Sequence, residues 1–338
     1  MTRVTDPPQA NGPAAEGGHA GSNPIEVNAF RAPPLDEPRT APQSAASCAS
    51  AQSARPEAVR QADGRGRTNT SYLLLGLIGS IGIAVAGSRP IGLLGVALLT
   101  WAWYAGRRTI GWRTAVLWAL PLLVVPPLFS GDAYAYACQG QLLGHGLSPY
   151  RHGVADLPCT WVDRVPPLWR HTPTPYGPLW VVITEAASAM DRLWVAIGVL
   201  RLVALAGIAL AVAYGRRLAR DTGADPDRVA WLAASPLVLL HAVAGVHNDA
   251  LLAGLVVAGL AVAVRARWGV AAGAVLGLAV AVKVTALVAV PFAVLLVPRR
   301  AIAGVVAGVA GGPPATCCAP PAARISRPPP SRWPAPPA

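Results

Sequence analysis

An acidic side chain, Asp132, stands directly after the apolar run Trp112–Phe129, at the start of a short amphipathic stretch that carries Tyr136 and Gln139 and ends at Tyr150. A carboxylate at a lipid–water boundary can act as the general base that deprotonates an acceptor hydroxyl. An Asp ahead of a helix is also an ordinary N-cap, and its position alone favours this second interpretation. A surface-lying helix after a boundary carboxylate is typical of an enzyme with one membrane-borne and one water-borne substrate.

Three adjacent polar residues, His247, Asn248 and Asp249, precede the apolar run Ala250–Val264. One Asn or Asp is enough to cap a helix, so three polar residues exceed what a cap needs at a membrane edge. Binding of sugar hydroxyls and helix capping both stay open from the sequence. His241, slightly earlier in an apolar run, is predicted to be a packing residue rather than a ligand.

Lys283 lies inside the apolar stretch Gly269–Val297. An ammonium group at the centre of a membrane helix costs about 2.5–3.5 kcal/mol, so ionisable residues at such positions usually have a function. A point charge of this kind can hold a lipid phosphate. Snorkelling of the side chain to the interface would lower the cost without any ligand.

Other candidates for substrate binding, which include Tyr136 and Gln139 in the stretch after Asp132, give weaker signals. Arg201 lies within Leu193–Tyr214 and could hold a phosphate or pair with a carboxylate such as Glu185. Tyr176 and Trp180 suit an interfacial aromatic belt. The same two aromatic rings could also stack on a sugar or line a lipid groove.

The elements that would position these groups are apolar helices. Of 338 residues, 53% are hydrophobic and only 13% are charged, against about 25% charged in ordinary soluble domains. Long apolar runs predict an all-α integral membrane protein. The net charge of +12 resides in short Arg clusters between these runs and in the N-terminal segment. Positive-inside topology explains this distribution better than binding of a phosphate backbone, so no nucleic-acid partner is expected.

Several apolar segments follow one another, some of which need their flanks to reach the roughly 20 residues that a span requires. They are Tyr72–Ser88, Ile91–Gly106, Trp112–Phe129, Leu193–Tyr214, Val229–Val246, Ala250–Val264 and Gly269–Val297. The last is either one tilted helix or a tight pair of short helices. If the Arg clusters are cytoplasmic, then Asp132, the triplet His247–Asp249 and Lys283 all fall on the outer side. Tyr176–Met190 then does not cross and is predicted to be a surface-lying or re-entrant helix.

Composition divides the chain into three predicted regions. Residues 1–70, rich in Pro, Ala, Gly, Ser and charge, are expected to form a disordered cytoplasmic tail. Residues 71–300 form the polytopic membrane region, with a large outer loop at residues 130–192. Residues 301–338 are expected to be an irregular Pro/Ala-rich tail. The abrupt change in composition there favours a truncated or frame-shifted end of a longer membrane protein over a natural disordered tail.

The spacing of residues defines no cofactor or metal site. The cysteines Cys48, Cys138, Cys159, Cys317 and Cys318 match no zinc pattern. Cys138 and Cys159 share one polar loop, and they either form a disulfide or are two unrelated thiols. A P-loop and a GxGxxG motif are both missing from the sequence. A transferase of this kind is therefore expected to use a lipid-linked donor rather than a nucleotide sugar.

Four motifs, in this order along the chain, resemble those of a known family. They read GDAYAYACQGQLLGHGLSPY (Gly131–Tyr150), TPYGPLW (Thr174–Trp180), GVHNDALLAGL (Gly245–Leu255) and AVKVTALVAVPF (Ala281–Phe292). Together they look like the motifs of the actinobacterial polyprenol-phosphomannose-dependent α-1,6-mannosyltransferases, which are GT-C-type membrane glycosyltransferases. The resemblance covers roughly residues 72–297, and the first and third motifs are the more specific.

This resemblance implies a GT-C-like helical bundle that crosses the cell membrane several times, with its active site on the outer, periplasmic face. It implies inverting transfer of mannose from polyprenyl-phosphate-mannose to a lipid-anchored mannan in lipomannan and lipoarabinomannan assembly. Asp132 matches the family's presumed base, His247–Asp249 its HND element, and Lys283 the lysine before its PF turn. The match changes the preferred interpretation of Asp132 from cap to base. Some GT-C relatives use a divalent metal, for which this sequence defines no site.

Two alternatives to an active transferase stay open. A transporter or flippase for a lipid-linked sugar would place charges at mid-depth between repeated halves, and no repeat is visible in this sequence. A chain without the family's further C-terminal helices could also be an inactive member, because part of the substrate groove would be missing.

Overall fold

The computed structural model describes residues 70–156, 159–265 and 269–311. This part of the chain consists of helices and the turns between them and contains no β-strand, so the all-α prediction is confirmed. The tail predicted for residues 1–70 lies outside the described residues, apart from Thr70. The Pro-rich sequence after Gly311 lies outside them as well.

The first helices are α1 (Thr70–Ala84), α2 (Arg89–Ala105) and α3 (Trp112–Leu123). Trp118 of α3 is fully buried among them, and its indole N–H donates a hydrogen bond to the Leu73 carbonyl at 2.9 Å. Helices α1 and α2 approach closely at glycines, since a Cβ on Gly79 would lie 2.8 Å from the carbonyl oxygen of Gly95.

Helix α3 ends at Leu123, so the apolar span predicted as far as Phe129 is wrong at its end. Pro126 and Pro127 follow the helix. A residue before proline disfavours the helical conformation, and proline itself has no N–H to donate to a helical carbonyl. The chain therefore leaves the helix before the predicted boundary.

The segment between α3 and α7 folds into α4 (Asp132–Gly144), a 3-10 turn (Val162–Arg164), α5 (Pro167–Arg170) and α6 (Pro178–Ser188). The last of these is the helix predicted within Tyr176–Met190. Helices α4 and α6 pack closely because Gly140 has no side chain, as a Cβ there would lie 2.1 Å from the Thr184 carbonyl oxygen. A disulfide joins Cys138 of α4 to Cys159, which decides between the alternatives that the sequence left open.

Helices α7 (Leu193–Asp221) and α9 (Asp249–Arg265) lie side by side and run in the same direction. Near the start of α9, Gly207 packs directly against the backbone of Ala250. At the other end of the pair, Arg265 donates two hydrogen bonds to the Asp221 carboxylate, at 2.5 and 2.6 Å. Close packing at one end and an ion pair at the other fix how the two helices are aligned.

The chain returns between these parallel helices through α8 (Arg228–Ala233) and a π-helical turn (Val238–Ala244). The continuous span predicted at Val229–Val246 is therefore wrong. Pro236 explains the interruption, since it removes a helical N–H donor and disfavours a helical residue before it. The π-helical turn then meets α9 at an angle of 114°, which turns the intervening residues toward the interior.

The stretch Gly269–Val297 is broken, as in the second of its two predicted alternatives. Helix α10 (Gly269–Val282) is followed by a 3-10 segment (Val284–Ala289) and α11 (Val290–Leu296). The break falls at Lys283, whose backbone is extended, with φ −158° and ψ 126°.

Residues Ile302–Ala310 form helix α12, so the irregular tail predicted for residues 301–338 is wrong over this range. Small residues allow α12 to pack on α10, because a Cβ on Gly273 would lie only 2.2 Å from the Val305 carbonyl oxygen. Val305 is fully buried in this contact. Packing against α10 thus stabilises this short Ala/Gly/Val helix. The composition of the segment alone does not reveal such packing.

Among the described residues, one helix is long and apolar enough to cross a membrane, namely α7, with 29 residues. The π-helical turn together with α9 is a second candidate if this bent pair counts as one span. The other apolar helices are shorter than the roughly 20 residues that a span requires. Helix length by itself therefore supports one or two of the predicted spans.

Gly207→Ala is expected to destabilise the fold by about 1–3 kcal/mol, as overpacking of a tight contact does. The new Cβ would lie 2.5 Å from backbone atoms of Ala250, so α7 and α9 would have to separate. Thermal unfolding in detergent measures the change. Gly198→Ala is the matched control, since Gly198 is on the same helix with nothing within 4 Å of a Cβ. This control is expected to be neutral or slightly stabilising, and equal losses in both variants would contradict the packing.

Loss of the Cys138–Cys159 disulfide is expected to lower stability by about 3 kcal/mol, because the bond restricts the unfolded chain. Peptide mass spectrometry without reductant should find the two cysteines linked. A reductant should lower the melting temperature of the native sequence and leave a Cys138→Ser/Cys159→Ser double variant unchanged. The same response to reductant in both proteins would show that the bond does not contribute.

Candidate active site

Polar side chains from separate parts of the chain converge where the start of α4, the start of α9 and the break after α10 meet. We call this group the charged cluster; its members are Asp132, His241, His247, Asp249 and Lys283. All but His241 were predicted to be site residues from the sequence. The predicted convergence of these groups is therefore present in the structure.

The shortest polar contact in the charged cluster joins Lys283 to Asp249. The Lys283 ammonium donates to the Asp249 carboxylate with an Nζ–Oδ1 distance of 2.7 Å, and the two side chains are 29% and 35% exposed. Lys283 is the only lysine in the chain. Its extended backbone interrupts the helix, and the carboxylate at the first residue of α9 provides the opposite charge.

Two histidines extend the charged cluster from Asp249 to Asp132. The rings of His241 and His247 are stacked, with centroids 3.8 Å apart and planes inclined by 11°. His241 Nε2 lies 3.3 Å from Asp249 Oδ2, and His247 Nδ1 lies 3.5 Å from Asp132 Oδ2. Two pairs of polar contacts, joined by the stacked histidine rings, thus connect Lys283 with Asp132.

Asp132 is the first residue of α4, and the N-cap position belongs to Gly131. Its backbone N–H donates to Ser130 Oγ at 3.0 Å. A carboxylate in the first turn is favoured by the helix dipole. Its side chain faces His247 and is only 19% exposed, so capping does not account for where it points.

A backbone hydrogen bond brings the segment before Asp132 next to the segment that carries the two histidines. The Leu128 N–H donates to the Ala244 carbonyl at 3.1 Å. Val246, the residue before His247, has a positive φ of 57°. A β-branched residue rarely adopts this conformation, which costs on the order of 1–3 kcal/mol. The surrounding packing must stabilise this strained turn, and the turn directs His247 and Asn248 inward.

Aromatic rings lie beside the charged cluster. Tyr136 makes edge-to-face contacts with Tyr176 and Trp180, with ring centroids 5.2 and 5.1 Å apart. The Lys283 ammonium lies 5.9 Å from the Tyr176 ring centroid. The predicted aromatic residues therefore share one site with the predicted charged residues.

Gly177 holds the turn after Tyr176 against the break at Lys283. Its N–H donates to the Val282 carbonyl at 2.9 Å. A Cβ on Gly177 would lie 2.2 Å from the Ala281 carbonyl oxygen. Only glycine permits this approach, which explains why a Gly stands between Tyr176 and Pro178.

Asn248 is 1% exposed and accepts a hydrogen bond from the Tyr136 hydroxyl at 3.5 Å through Oδ1. Its Nδ2 and the indole nitrogen of Trp180 are buried, and they have no hydrogen-bond partner among the described residues. Buried N–H donors normally have a partner. The Asn248 amide and the Trp180 indole are therefore two candidate donors for a polar ligand.

Gln139 and Arg201 lie apart from the charged cluster. Gln139 is buried and accepts a hydrogen bond from Thr174 at 3.3 Å. The Arg201 guanidinium donates to the carbonyls of Leu123 and Val125 at 2.5 and 2.8 Å. It satisfies carbonyls at the broken end of α3, rather than pairing with Glu185 as one prediction suggested.

His241 is the one member of the charged cluster that sequence reasoning missed. It was predicted to be a packing residue, but its side chain is 43% exposed and contacts Asp249. The only sequence signal is an imidazole six residues before the first residue of the HND motif. That spacing becomes a contact only because the chain turns by 114° between the π-helical turn and α9.

Burial determines the protonation preferences near the charged cluster. Burial lowers the pKa of His247, and the neighbouring His241 lowers it further, while the carboxylates of Asp132 and Asp249 act in the opposite direction. A neutral imidazole is thus favoured at His247.

Burial also raises the pKa of the Tyr136 phenol well above its ordinary value, with further contributions from Tyr176 and Asp132. Tyr136 is therefore a hydroxyl donor rather than a phenolate.

An apolar groove of about 790 Å³ runs along α7 and α9. His241 and Asp249 line one end of this groove, and Asp225 and Arg228 line the other. Its middle is formed by aliphatic side chains such as Val212 and others of α7, α8 and α9. The charged cluster therefore opens onto a long apolar channel.

Known proteins resemble this chain over the part that forms the site. The family model described as "Alpha-(1->6)-mannopyranosyltransferase, N-terminal domain" matches residues 61–299. This range includes every member of the charged cluster. No solved structure matches the chain.

Among individual relatives, a "Probable alpha-(1->6)-mannopyranosyltransferase" of Mycolicibacterium smegmatis is 40% identical over 51% of this chain and 34% of the relative. "Alpha-(1->6)-mannopyranosyltransferase A" of Mycobacterium tuberculosis is 39% identical over 60% of this chain and 41% of the relative. The protein of the same name from Corynebacterium glutamicum is 37% identical over 54% of this chain and 38% of the relative.

The matched part of the chain thus spans only about a third to two fifths of the length of these relatives, at 34%, 41% and 38%. The family model nevertheless covers well over half of this chain, at residues 61–299. The chain therefore belongs to the alpha-(1->6)-mannopyranosyltransferase family, whose N-terminal domain it matches.

Proposed function

We propose that this chain is a glycosyltransferase that moves mannose from polyprenyl-phosphate-mannose to a lipid-anchored mannan, forming an α-1,6 linkage in lipomannan and lipoarabinomannan assembly. Family membership supports the sugar and the linkage. The observation that carries the proposal is the contact between Asp132 and His247 within a cluster that also holds Lys283. These residues supply a base and a cation within one site, as displacement of a lipid phosphate requires.

Asp132 is the general base in this proposal. The acceptor hydroxyl has too high a pKa to ionise freely, so a positioned carboxylate must accept its proton during attack. The acceptor oxygen forms a bond to C1 of mannose while the bond from C1 to the phosphate oxygen breaks. The electron pair leaves with polyprenyl phosphate, and the proton moves to Asp132. His247, 3.5 Å away, orients the carboxylate.

Lys283 stabilises the leaving phosphate in this proposal. Its ammonium already binds Asp249 at 2.7 Å, and it has donors left for a phosphate oxygen, because an ammonium carries three N–H groups. A cation near the leaving group stabilises the charge that develops there. Asn248 and Trp180, with their buried unpartnered donors, are candidates for binding sugar hydroxyls.

The apolar groove supports a lipid-linked donor. One of its ends is lined by His241 and Asp249, and the lining between the ends is almost entirely apolar. A polyprenyl chain placed in the groove would bring its phosphate to the charged cluster, next to Lys283. A water-soluble nucleotide sugar has no group that would fill such a channel.

A location in the cell membrane is part of the proposal. Besides α7, large apolar side chains such as Leu93, Leu202 and Leu295 are 69%, 66% and 82% exposed. Exposed apolar surface of this extent is typical of contact with lipid or with another protein. A bundle that crosses the membrane several times would cover these side chains with acyl chains.

The distribution of charge supports an active site on the outer face. Arg265 at the end of α9 pairs with Asp221 at the end of α7, and the Arg216 guanidinium lies 5.6 Å from the Trp112 ring at the start of α3. The charged cluster lies at the opposite end of α9, about 25 Å away at 1.5 Å per residue. Basic ends are favoured in the cytoplasm, and the disulfide on α4 requires an oxidising compartment.

Asp132→Asn is expected to lower mannose transfer by about 10²–10⁴-fold, the contribution typical of a general base. Transfer from labelled polyprenyl-phosphate-mannose is measured in membranes that contain the full chain. Asp163→Asn, a change at an exposed carboxylate on the 3-10 turn, is the matched control and should leave transfer unchanged. Equal rates for Asp132→Asn and the native chain, or no transfer by the native chain, would contradict the proposal.

Lys283→Gln is expected to weaken use of the donor more than use of the acceptor, because only the donor carries a phosphate. The measurement is kcat/KM for each substrate, with an expected loss of at least tenfold for the donor and a smaller loss for the acceptor. Lys283→Arg keeps the positive charge and should retain more activity than Lys283→Gln. Equal losses for both substrates, or for both variants, would show that Lys283 does not act as a phosphate ligand.

A further inference from the structure

The apolar groove beside the charged cluster has a defined length. Its wall on α7 extends along one face of the helix from Ile208 to Thr222, a distance of about 21 Å at 1.5 Å per residue. Asp249 lines the end beside Ile208, and Asp225 and Arg228 line the end beside Thr222. The apolar part of the groove is therefore bounded by polar groups at both ends, and it is shorter than the roughly 30 Å of a bilayer's hydrocarbon core.

Gly215 lies halfway along this wall, opposite side chains of two other helices. A Cβ on Gly215 would lie 3.6 Å from a methyl carbon of Val229 on α8 and 3.9 Å from one of Val257 on α9. One added methyl group would thus make ordinary van der Waals contacts, and a larger side chain would project across the groove. Val257 follows Asp249 by eight residues, so this level is about 12 Å from the charged cluster.

The charges at the end beside the charged cluster favour an occupant with an anionic head and an apolar chain. The Lys283 ammonium lies 2.7 Å from the Asp249 carboxylate at that end, and it has further N–H donors for a phosphate. The volume of about 790 Å³ lies within the roughly 300–1,000 Å³ of ligand pockets. A phospholipid carries two chains, whereas a groove that one side chain at Gly215 can obstruct has room for one. A prenyl chain with a terminal phosphate fits this description.

The length of the groove sets the number of isoprene units that it can hold. An extended chain advances about 3.3–3.6 Å over three backbone bonds, so an isoprene unit with four skeletal bonds spans roughly 4–5 Å. About four units therefore fit between Asp249 and Thr222. Gly215, at half this distance, lies beside the second or third unit.

We propose that Gly215 is a specificity-determining residue for the length of the lipid chain. The absence of a side chain keeps the groove open to the third and fourth isoprene units of a polyprenyl phosphate, and units beyond the fourth lie in the bilayer. This proposal rests on the proposed function, in which a lipid phosphate binds beside Lys283. It adds the length of chain that the protein distinguishes and the residue that sets it.

The first test measures binding and requires no transfer. The full chain in detergent is mixed with a four-unit polyprenyl phosphate that carries a photoreactive diazirine on its last unit, and the cross-linked peptides are identified by mass spectrometry. We expect cross-links on α7 beyond Gly215, close to Thr222, and competition by the unlabelled four-unit phosphate. Cross-links spread over exposed apolar positions such as Leu93 and Leu295 would overturn the proposal. Equal competition by phosphatidylglycerol would overturn it as well, because the groove would then be a site for bilayer lipid.

The second test measures kcat/KM for polyprenyl-phosphate-mannose donors with two, four and eight isoprene units. For the native chain we expect a rise of about tenfold from two to four units, a modest gain because a chain that leaves lipid for protein gains packing rather than hydrophobic energy. We expect no further rise from four to eight units. Gly215→Leu should lower the value for four units to that for two units and leave the value for two units unchanged.

Gly198→Leu is the matched control, because it makes the same change on the same helix at an exposed position with nothing within 4 Å of a Cβ. It should keep the native dependence on chain length. Gly215→Ala adds only a methyl group with ordinary contacts, so it should fold like the native chain and lose less of the preference than Gly215→Leu. An equal loss with two-unit and four-unit donors in Gly215→Leu would overturn the role of Gly215. Absence of transfer from every donor by the native chain would contradict the proposed function instead, and the cross-links would then decide the occupant of the groove.

Discussion

The ion pair between Asp249 and Lys283 is the interaction on which the arrangement of the site depends. The Lys283 ammonium and the Asp249 carboxylate are both partly buried. Each compensates for the other's partial loss of water because their atoms are in contact, 2.7 Å apart. This contact joins the first residue of α9 to the break after α10. The backbone at the break also accepts a hydrogen bond from the N–H of Gly177. Tyr176 and Trp180, which lie on either side of Gly177, are therefore placed by the same contact.

Close helix packing makes this convergence possible. Gly207 lets α7 approach the start of α9, and Gly140 lets α4 approach α6. The 114° bend before α9 and the positive φ of Val246 then direct His247 and Asn248 inward. Such strain persists only where surrounding contacts stabilise it. The helix packing that these glycines permit thus forms part of a fold that holds an otherwise unfavourable backbone turn.

Much of this organisation follows from the pattern of residues. Asp132, His247, Asn248, Asp249 and Lys283 stand out because polar groups beside long apolar runs are expensive unless they have a partner or a function. The helices α7 and α9 follow from runs of apolar residues. The predictions failed where a proline interrupted a helix or where tertiary packing stabilised one. Pro126 and Pro236 lie at interruptions of predicted spans, and Val305 is buried in a helix where an irregular tail was predicted.

The sequence by itself determined the all-helical class, the family and the charged residues of the site, since these depend on local composition and on order along the chain. Only the tertiary structure decided which groups these side chains contact. Arg201 satisfies the carbonyls of Leu123 and Val125, and His241 meets Asp249. Cys138 pairs with Cys159. Each of these contacts depends on how distant or bent segments pack, and packing is set by the shape of the whole interior, which no local pattern encodes.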